Sequence, residues 1–392
     1  MSNQPVLKGI RILDFSWVLA GPYATRILAD FGAEVIKVQP LMPQEEDKFS
    51  RGYYNTWNRN KLGITLNLNK PEGVALAKGL VKVSDAVVEN FTPRVMAYFG
   101  LDYDSLKKLK PDIIMLSLST MGNTGPWRDY TGFGPTVQAF SGMTYLTSFP
   151  GKPPLGLGTS YADHIAGLFA CFALLGALEY RRQTGEGQYI DLSQVEAMTS
   201  LLGDAILEYA VSGREVEPVG NSSTEAAPHG IYRCKGDDRW CALAVFTAEE
   251  WQGFKQALGN PPWAEAKRFA TLAGRLKDRV ELDGLVEDWT KGHTAAEVMA
   301  LLQGCGVAAG VVQDARDLAK DPQLKARGFF IELDHPELGK AVSDAVPIRL
   351  SDIPARYSRA APLLGQDNDY VYGGLLGLNR DEMAELKKQG VI

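Results

Sequence analysis

Residues 9–37 read GIRILDFSWVLAGPYATRILADFGAEVIK, and two apolar runs within them flank a helical stretch. The runs Gly9–Phe15 and Glu34–Val38 are short and rich in Ile, Leu and Val, which is typical of buried strands. Pro22 suits the first turn of a helix, so we expect a helix that begins there and ends near Phe31, just before Gly32. The strand–helix–strand order predicts a β-α-β unit with parallel strands.

The same alternation continues along the chain. A second helix is predicted from Lys70, and further strands are predicted at Asp85–Val88 and Asp112–Leu118. Alternating strands and helices predict an α/β fold with a doubly wound, Rossmann-like parallel sheet, whose ligand lies beyond the carboxyl ends of the strands. The first strand is followed by Trp17-Val18-Leu19-Ala20-Gly21 instead of a GxGxxG fingerprint. This difference argues against a nicotinamide or flavin dinucleotide as the ligand.

The character of the sequence changes near Gly220, where GNSSTEAAPHG is small and polar. A hairpin is predicted over Ile231–Phe246, and amphipathic helices are predicted over Trp251–Leu302. We therefore divide the chain into a large Rossmann-like domain (residues 1–223), a smaller α+β domain (residues 224–325) and a C-terminal segment (residues 326–392).

Composition narrows the possible functions. The chain has 392 residues, of which 45% are hydrophobic, and a net charge of −6, so it can bury a large core and offers no basic face for nucleic acid. The four cysteines form no CxxC pair, so we expect neither a metal site nor a disulfide framework. No apolar signal core follows Met1, and the longest apolar helix is rich in Gly and Ala and precedes Arg181-Arg182. We expect a cytoplasmic protein that does not interact with membranes.

Asp163 stands at the start of that apolar helix, in LGTSYADHIAGLFACFALLGALEYRRQTGEG (residues 157–187). From Ile165 to Tyr180 nearly all residues are apolar or small, which predicts a helix buried on most sides. An Asp at a helix N-terminus accepts backbone N–H groups, and the helix dipole favours its ionised form. On these grounds alone, Asp163 is a capping residue.

The residues around Asp163 resemble the family III CoA-transferases, which include the formyl-CoA, carnitine and benzylsuccinate CoA-transferases and the α-methylacyl-CoA racemases. The matching blocks occur in order over nearly the whole chain. They are residues 9–37, NRNKLGITLNL (58–68), VVENFTP (87–93), MGNTGPWRD (121–129), the Asp163 helix, RRQTGEGQYIDLS (181–193), GVAAGVV (306–312) and APLLGQDND (361–369). A single block is weak evidence, whereas the ordered set is specific.

The resemblance implies a mechanism and an assembly. Asp163 is expected to be a nucleophile that forms an aspartyl-CoA thioester while CoA moves from an acyl-CoA to a carboxylic acid. No resident metal or cofactor is implied, and coenzyme A or acyl-CoA enters as substrate. Residues 326–392 are expected to complete the large domain. Two chains, identical or homologous, are expected to interlock in a dimer.

The resemblance also implies where CoA binds. Its phosphates need cations and its nucleotide end needs polar and aromatic contacts. The expected residues are Asn60, Lys61, Leu62, Asn90 and Phe91, with Lys37 and Arg94 as phosphate partners and Arg128 facing the pantetheine arm or the acceptor. For Lys61, Arg94 and Arg128 an ordinary surface or loop position is the alternative, and for Phe91 a core position.

Transfer through tetrahedral intermediates requires donors for each oxyanion, and one such donor is worth about 3 kcal/mol. Formyl-CoA-type members of the family carry Gln where this chain has Leu19, so a side-chain amide is missing here. We expect backbone N–H groups near Val18, Leu19 and Ala20, or of Gly220 and Asn221, to take its place.

Three other functions are weighed against CoA transfer. A racemase needs a His in a GHDxN pattern ahead of the Asp, and this chain reads Gly132-Phe133-Gly134-Pro135, where Phe cannot transfer a proton. A non-catalytic subunit paired with an active homologue is consistent with Leu19, although the intact Asp163 argues against it. A Rossmann oxidoreductase is disfavoured because the glycine fingerprint is missing.

The donor and acceptor acids are not encoded in a motif. By family analogy the donor is succinyl-CoA. Aromatic and apolar side chains around the expected entrance favour a bulky or aryl-bearing acceptor, such as a benzylsuccinate-type acid. These side chains are Trp17, Leu19, Phe133, Tyr145, Phe149 and Tyr161.

Overall fold

The structure, a computed structural model, describes residues 4–41 and 48–392, of which 48–51 as backbone only. The chain forms two compact units. The first comprises the described residues up to Thr144, Gly156–Glu215 and Leu324–Ile392, and the second comprises Tyr145–Leu155 and Val216–Gln323. The unit boundaries after residues 215 and 323 lie close in sequence to the predicted boundaries after residues 223 and 325. Tyr145–Leu155, which the sequence analysis assigned to the large domain, groups with the second unit.

Six strands form the centre of the first unit. They are β1 (Arg11–Asp14), β2 (Glu34–Gln39), β3 (Leu62–Thr65), β4 (Ala86–Glu89), β5 (Ile114–Ser119) and β6 (Tyr189–Ser193). All neighbours pair in parallel, in the order β3-β2-β1-β4-β5-β6. The chain therefore runs outward from β1 to one edge and from β4 to the other. The carboxyl ends of β1 and β4 flank a topological switch point, where such sheets bind ligands.

This sheet confirms the predicted α/β, Rossmann-like fold class. The residues of β4 and β5 are all buried, as expected for parallel strands covered by helices on both faces. The predicted strands overlap β1, β2, β4 and β5, whereas β3 and β6 were not predicted. The helices of the first unit in this part of the chain are α1 (Ala20–Asp30), α2 (Lys48–Trp57), α3 (Pro71–Lys82), α4 (Arg94–Tyr98), α5 (Tyr103–Leu109), α6 (Gly134–Phe140), α7 (Met143–Leu146), α8 (Tyr161–Thr184), α9 (Gln194–Thr199) and α10 (Gly203–Ser212). Of these, α7 crosses the boundary into the second unit.

The long helix α8 carries Asp163 and covers one face of the sheet together with α1. Its Ala166, Ala170, Leu174 and Ala177 are buried in the same cluster as Ala20 and Ala24 of α1. Over 18 residues its mean hydropathy is 1.6, so its length and composition alone are compatible with a membrane span. Its buried stripe against α1 is that of a core helix.

The second unit contains a three-stranded antiparallel sheet with helices packed on it. Its strands are β7 (His229–Arg233), β8 (Trp240–Ala244) and β9 (Ala308–Val311), in the order β7-β8-β9. The pairing of β7 with β8 is the hairpin that the sequence predicts. The helices are α11 (Ala248–Ala257), α12 (Leu272–Lys277), α13 (Arg279–Thr290), α14 (Ala295–Gly304), α15 (Ala315–Lys320) and α16 (Pro322–Ala326), of which the last extends into the first unit.

The C-terminal segment returns to the first unit. It contains a hairpin of β10 (Phe330–His335) and β11 (Gly339–Asp344) and ends in α17 (Arg380–Lys388). Beside the edge strand β3, the Asp367 carboxylate accepts the Gly63 N–H at 2.7 Å, and the Asn368 side chain accepts the Thr65 N–H at 3.0 Å. These bonds occupy donors that an edge strand otherwise exposes.

Candidate active site

Asp163 is the third residue of α8, one turn after the cap position. That position belongs to Ser160, whose side chain accepts no N–H of the first turn. The hydrogen bond that acts on the Asp163 carboxylate comes from the N–H of Asp163 itself. Asp163 is therefore not the cap residue of α8, although its carboxylate accepts one free N–H of the first turn.

The Asp163 side chain is only partly exposed. Burial raises its pKa from 3.8 to about 6, against the opposing effects of His164 and of its own N–H. A carboxylate with this pKa is mostly ionised at neutral pH, yet it is less stabilised by water than an exposed one. Both properties suit a nucleophile.

Gly134, the first residue of α6, lies directly against this carboxylate. A Cβ atom at position 134 would be 2.5 Å from Asp163 Oδ2 and 3.1 Å from both Cβ and Oγ of Ser160. Any side chain at this position would therefore displace the Asp163 carboxylate. Gly134 of the Gly132–Pro135 segment thus lies beside Asp163, and the segment contains no histidine.

An aromatic cluster from α1 and α2 borders the first turn of α8. The His164 ring lies 5.1 Å from the Tyr23 ring and 5.2 Å from the Trp57 ring, both edge-on, and His164 Nδ1 lies 2.8 Å from the Ser160 carbonyl oxygen. Tyr53 lies edge-on to Trp57 and hydrogen-bonds to Ser160. Burial and the Asp163 charge raise the pKa of Tyr53 to about 12, so its hydroxyl stays protonated. Tyr53 and Trp57 were missed because no motif marks them.

The start of α1 lies beside the second turn of α8. A Cβ atom at Gly167 would be 2.8 Å from the Ala20 carbonyl oxygen. Gly167 follows Asp163 by four residues and so shares its face of the helix. Ala20, which with Val18 and Leu19 was expected to supply backbone donors, thus lies against α8 one turn from Asp163. Leu19 itself is 2% exposed, so its side chain belongs to the core and does not line an entrance.

Asn90 and Phe91, at the carboxyl end of β4, hold the loop that precedes α1. The Asn90 side chain accepts the Trp17 N–H at 2.7 Å and donates to the Trp17 carbonyl at 2.8 Å. The Phe91 ring meets the Trp17 ring edge-on at 5.7 Å. Val18 follows with φ of +64°, a conformation rare for a β-branched residue, and its side chain is exposed. These residues occupy the topological switch point.

Lys37 and Lys61 do not lie where phosphate contacts require them. Both are buried, and their ammonium groups lie 3.6 and 3.0 Å from the carboxylate of Asp14, at the end of β1. Lys61 also donates to the Asn58 side chain and to the Pro22 carbonyl. Although burial opposes ionisation of Asp14, the two lysines hold its pKa well below the usual range. Their burial argues against the predicted phosphate roles, because their charges compensate Asp14 inside the protein.

Asn60 and Leu62 also have structural partners. The Asn60 amide donates to Asp30 and to the Arg356 carbonyl, both at 2.7 Å, and its oxygen accepts the Ser358 N–H at 3.0 Å. Leu62 begins β3 and packs on the core. Asn60 therefore holds the C-terminal segment against the rest of the first unit. The side chains of residues 60–62, where CoA contacts were expected, already have partners within the protein.

Two predicted cations are exposed. The guanidinium groups of Arg94 and Arg128 approach the Asp129 carboxylate to 2.8 and 3.8 Å, and their side chains are 78% and 55% exposed. Surface pairs of this kind are weak. Arg94 and Arg128 thus lie together at the surface, beside the same carboxylate.

The remaining predicted residues, Gly220 and Asn221, lie in the second unit. The Gly220 N–H donates to the Ser148 carbonyl, and the Asn221 carbonyl oxygen lies 2.8 Å from His229 Nδ1. Both residues line an open groove of about 500 Å³ beside β7, β8 and β9. Tyr145 and Phe149 belong to the same unit, whereas Trp17, Phe133 and Tyr161 belong to the first.

Comparisons with known proteins give consistent results for the family and the fold. Residues 7–368 match the model of CoA-transferase family III. The chain is 37% identical to the succinyl-CoA–D-citramalate CoA-transferase of Chloroflexus aurantiacus over 98% of each chain. It is 35% identical to the alpha subunit of a succinyl-CoA–L-malate CoA-transferase of the same organism, over the whole of this chain and 93% of that subunit. A CAIB/BAIF family protein from Brucella suis has a similar structure, with a TM-score of 0.87, 30% identity and coverage of 95% of this chain and 100% of that one.

Proposed function

We propose, from the premise that this chain belongs to CoA-transferase family III, that it moves CoA from an acyl-CoA to a carboxylic acid through a covalent intermediate on Asp163. The observation that supports this mechanism most directly is the environment of the Asp163 carboxylate. It lies against Gly134 and near the start of α1, it is partly buried, and its pKa is raised to about 6.

In the first half-reaction an Asp163 oxygen attacks the carbonyl carbon of the donor thioester. The tetrahedral oxyanion collapses with expulsion of the CoA thiolate, which leaves a mixed anhydride between Asp163 and the donor acid. The thiolate then attacks the Asp163 carbonyl carbon of this anhydride. The donor leaves as a carboxylate, and Asp163 becomes an aspartyl-CoA thioester.

The second half-reaction reverses these steps with the acceptor. The acceptor carboxylate attacks the aspartyl thioester and releases CoA thiolate, which then attacks the acceptor side of the new anhydride. The products are the acceptor's CoA ester and the free Asp163 carboxylate. Backbone N–H groups of residues 18–20 are the donors we assign to the oxyanions, because Ala20 packs against Gly167, one turn along α8 from Asp163.

We place CoA at the switch point between β1 and β4. Asn90 and Phe91 lie there, and the exposed pair Arg94 and Arg128 supplies the positive charge for phosphate. The donor's CoA ester enters as a substrate, and the acceptor's CoA ester leaves as a product. We propose no resident cofactor or metal.

For the substrates we propose succinyl-CoA as donor and a substituted succinate as acceptor. The names of the two Chloroflexus relatives support a succinyl donor and a branched or hydroxylated four-carbon diacid. An aryl substituent, as in a benzylsuccinate-type acid, is the variant favoured by Phe133, whose side chain is 72% exposed one residue before Gly134.

We further propose a cytoplasmic dimer. The faces of α8 and α10 expose large apolar side chains, including Phe172 at 77% and Val211 at 80%. Apolar surface of this extent is typical of an interface. The relative that is an alpha subunit makes a heterodimer with a homologous chain the alternative to a homodimer. Light scattering of the purified chain distinguishes the two, because a chain that requires a different partner stays monomeric or aggregates alone.

The function is tested with purified protein, succinyl-CoA and a panel containing D-citramalate, L-malate, benzylsuccinate and phenylacetate. We expect acceptor-dependent formation of a new CoA ester, with Asp163→Ala as the inactive control. No transfer to any acid by the folded protein contradicts the proposal. Transfer that requires an added homologous subunit supports the hetero-oligomer.

A further inference from the structure

Glu89 is a buried carboxylate that the mechanism above does not use. It is the last residue of β4 and is 4% exposed. Strand register pairs Glu89 with Ser117 on β5, and Ser117 with Asp191 on β6, so the three form one row across the sheet. Burial raises the pKa of Glu89 to about 7, while hydrogen bonds from Ser117 and Phe91 oppose the shift and the like charge of Asp191 adds to it. Retaining a carboxylate here costs stability.

The Glu89 carboxylate fixes the loop at the switch point. It accepts the Phe91 N–H at 2.8 Å, two residues further along the chain. The intervening Asn90 binds both the N–H and the carbonyl of Trp17, and the Phe91 ring packs on the Trp17 ring. Glu89 therefore holds Phe91 and the neighbouring Asn90 in place, and these two residues hold Trp17.

Trp17 precedes the start of α1, which packs against α8 one turn from Asp163. Val18 has the left-handed φ of +64°, and its conformation depends on neighbours that hold it. Ala20, two residues later, lies against Gly167 on the Asp163 face of α8. A loosened Trp17 shifts residues 18–20 relative to Asp163.

We propose that Glu89 is a positioning residue for CoA transfer, which holds residues 18–20 beside Asp163 through Asn90 and Phe91. The proposal rests on the function proposed above. This role requires a side chain at position 89 that accepts the Phe91 N–H. Gln has such an acceptor, and Ala does not.

The test compares Glu89→Ala with Glu89→Gln and with a control at the other end of the same strand. Asp85 accepts the Arg11 N–H at 2.7 Å just before β4 begins and also pairs with Arg181 at 2.7 Å, so Asp85→Ala removes at least as many bonds far from the switch point. We expect Glu89→Ala to lower kcat by about 30-fold, because a small displacement of reacting groups is costly. Glu89→Gln and Asp85→Ala should stay within about threefold of the unmodified protein.

A double variant tests the route. If Glu89 acts through Asn90, Glu89→Ala combined with Asn90→Ala lowers kcat no further than the more damaging single change. A folded Glu89→Ala protein with unchanged kcat, or losses that multiply in the double variant, overturns the proposal. If Glu89→Ala does not fold, Glu89→Leu, which keeps most of the volume and has no acceptor for the Phe91 N–H, supplies the same comparison. Absence of transfer by the unmodified protein refutes the proposed function and this role together, whereas an unaffected Glu89→Ala variant refutes only the role.

Discussion

Replacing Gly134 by Ala tests the geometry of the site in the most specific way. The added Cβ atom would lie 2.5 Å from Asp163 Oδ2, whereas ordinary contacts begin near 3.4 Å, so the carboxylate must move by about 0.9 Å. The contacted atom is the end of a side chain, so the side chain moves while the backbone stays in place. A displacement of about 1 Å in a reacting group costs roughly 10²-fold in rate, or about 2.7 kcal/mol of transition-state stabilisation.

The assay measures kcat/KM with succinyl-CoA and the best acceptor, together with the midpoint of thermal unfolding. Gly132→Ala is the matched control, because its Cβ atom would lie 2.7 Å from Thr136 Oγ1 and 2.9 Å from Thr120 Cγ2, away from Asp163. We expect both variants to lose about 1–3 kcal/mol of stability, as overpacked sites do. Only Gly134→Ala should lose about 100-fold in rate. Equal losses of rate in both variants, or a Gly134→Ala rate within about threefold of the unmodified protein, refute the reasoning.

Three further predictions follow from the charges. Because the raised pKa of Asp163 is about 6 and the nucleophile must be ionised, kcat/KM should fall about tenfold per pH unit below pH 6 and level off above it, and a flat profile between pH 5 and 8 contradicts this. Because the folded-state pKa of Asp163 lies above its ordinary value, the free energy of unfolding falls as the pH rises from 3.8 through 6 and the carboxylate ionises. Urea unfolding should therefore show that Asp163→Asn is more stable than the unmodified protein by about 1–3 kcal/mol at pH 7.5 and no more stable at pH 3.5. Lys61→Met leaves Asp14 with one cation and should lower stability by about 3–5 kcal/mol, with part of the loss recovered by adding Asp14→Asn; an unchanged thermal midpoint places Lys61 at the surface after all.

The sheet could be predicted because its strands are apolar runs separated by helices with recognisable ends. β1 and β2 flank a helix near Pro22, and this local pattern needs no knowledge of the rest of the chain. β3 and β6 were missed because both lie at the edges of the sheet. Tyr189–Ser193 alternates exposed and partly buried residues before it ends in the buried Ser193, and Leu62–Thr65 contains Gly63, a residue type depleted in strands.

The candidate site was predictable at Asp163 and only in part around it. Lys61 is a basic residue in a polar stretch, and nothing local shows that it reaches Asp14, 47 positions earlier. The contact of Gly134 with Asp163 depends on how two separate helices begin. Glu89 looks like the polar end of a strand until the register places it in a row with Ser117.

The central claim is that CoA becomes covalently bound to Asp163, and the mass of the intact protein after mixing with succinyl-CoA alone tests it most directly. Released CoA thiolate stays bound beside the anhydride, so its recapture competes with water at a high effective concentration. We predict a species heavier by one CoA, less the water lost on condensation, which peptide mapping assigns to Asp163, which hydroxylamine removes, and which Asp163→Asn does not form. No CoA adduct in a preparation that turns over, or an adduct on another residue, contradicts the account.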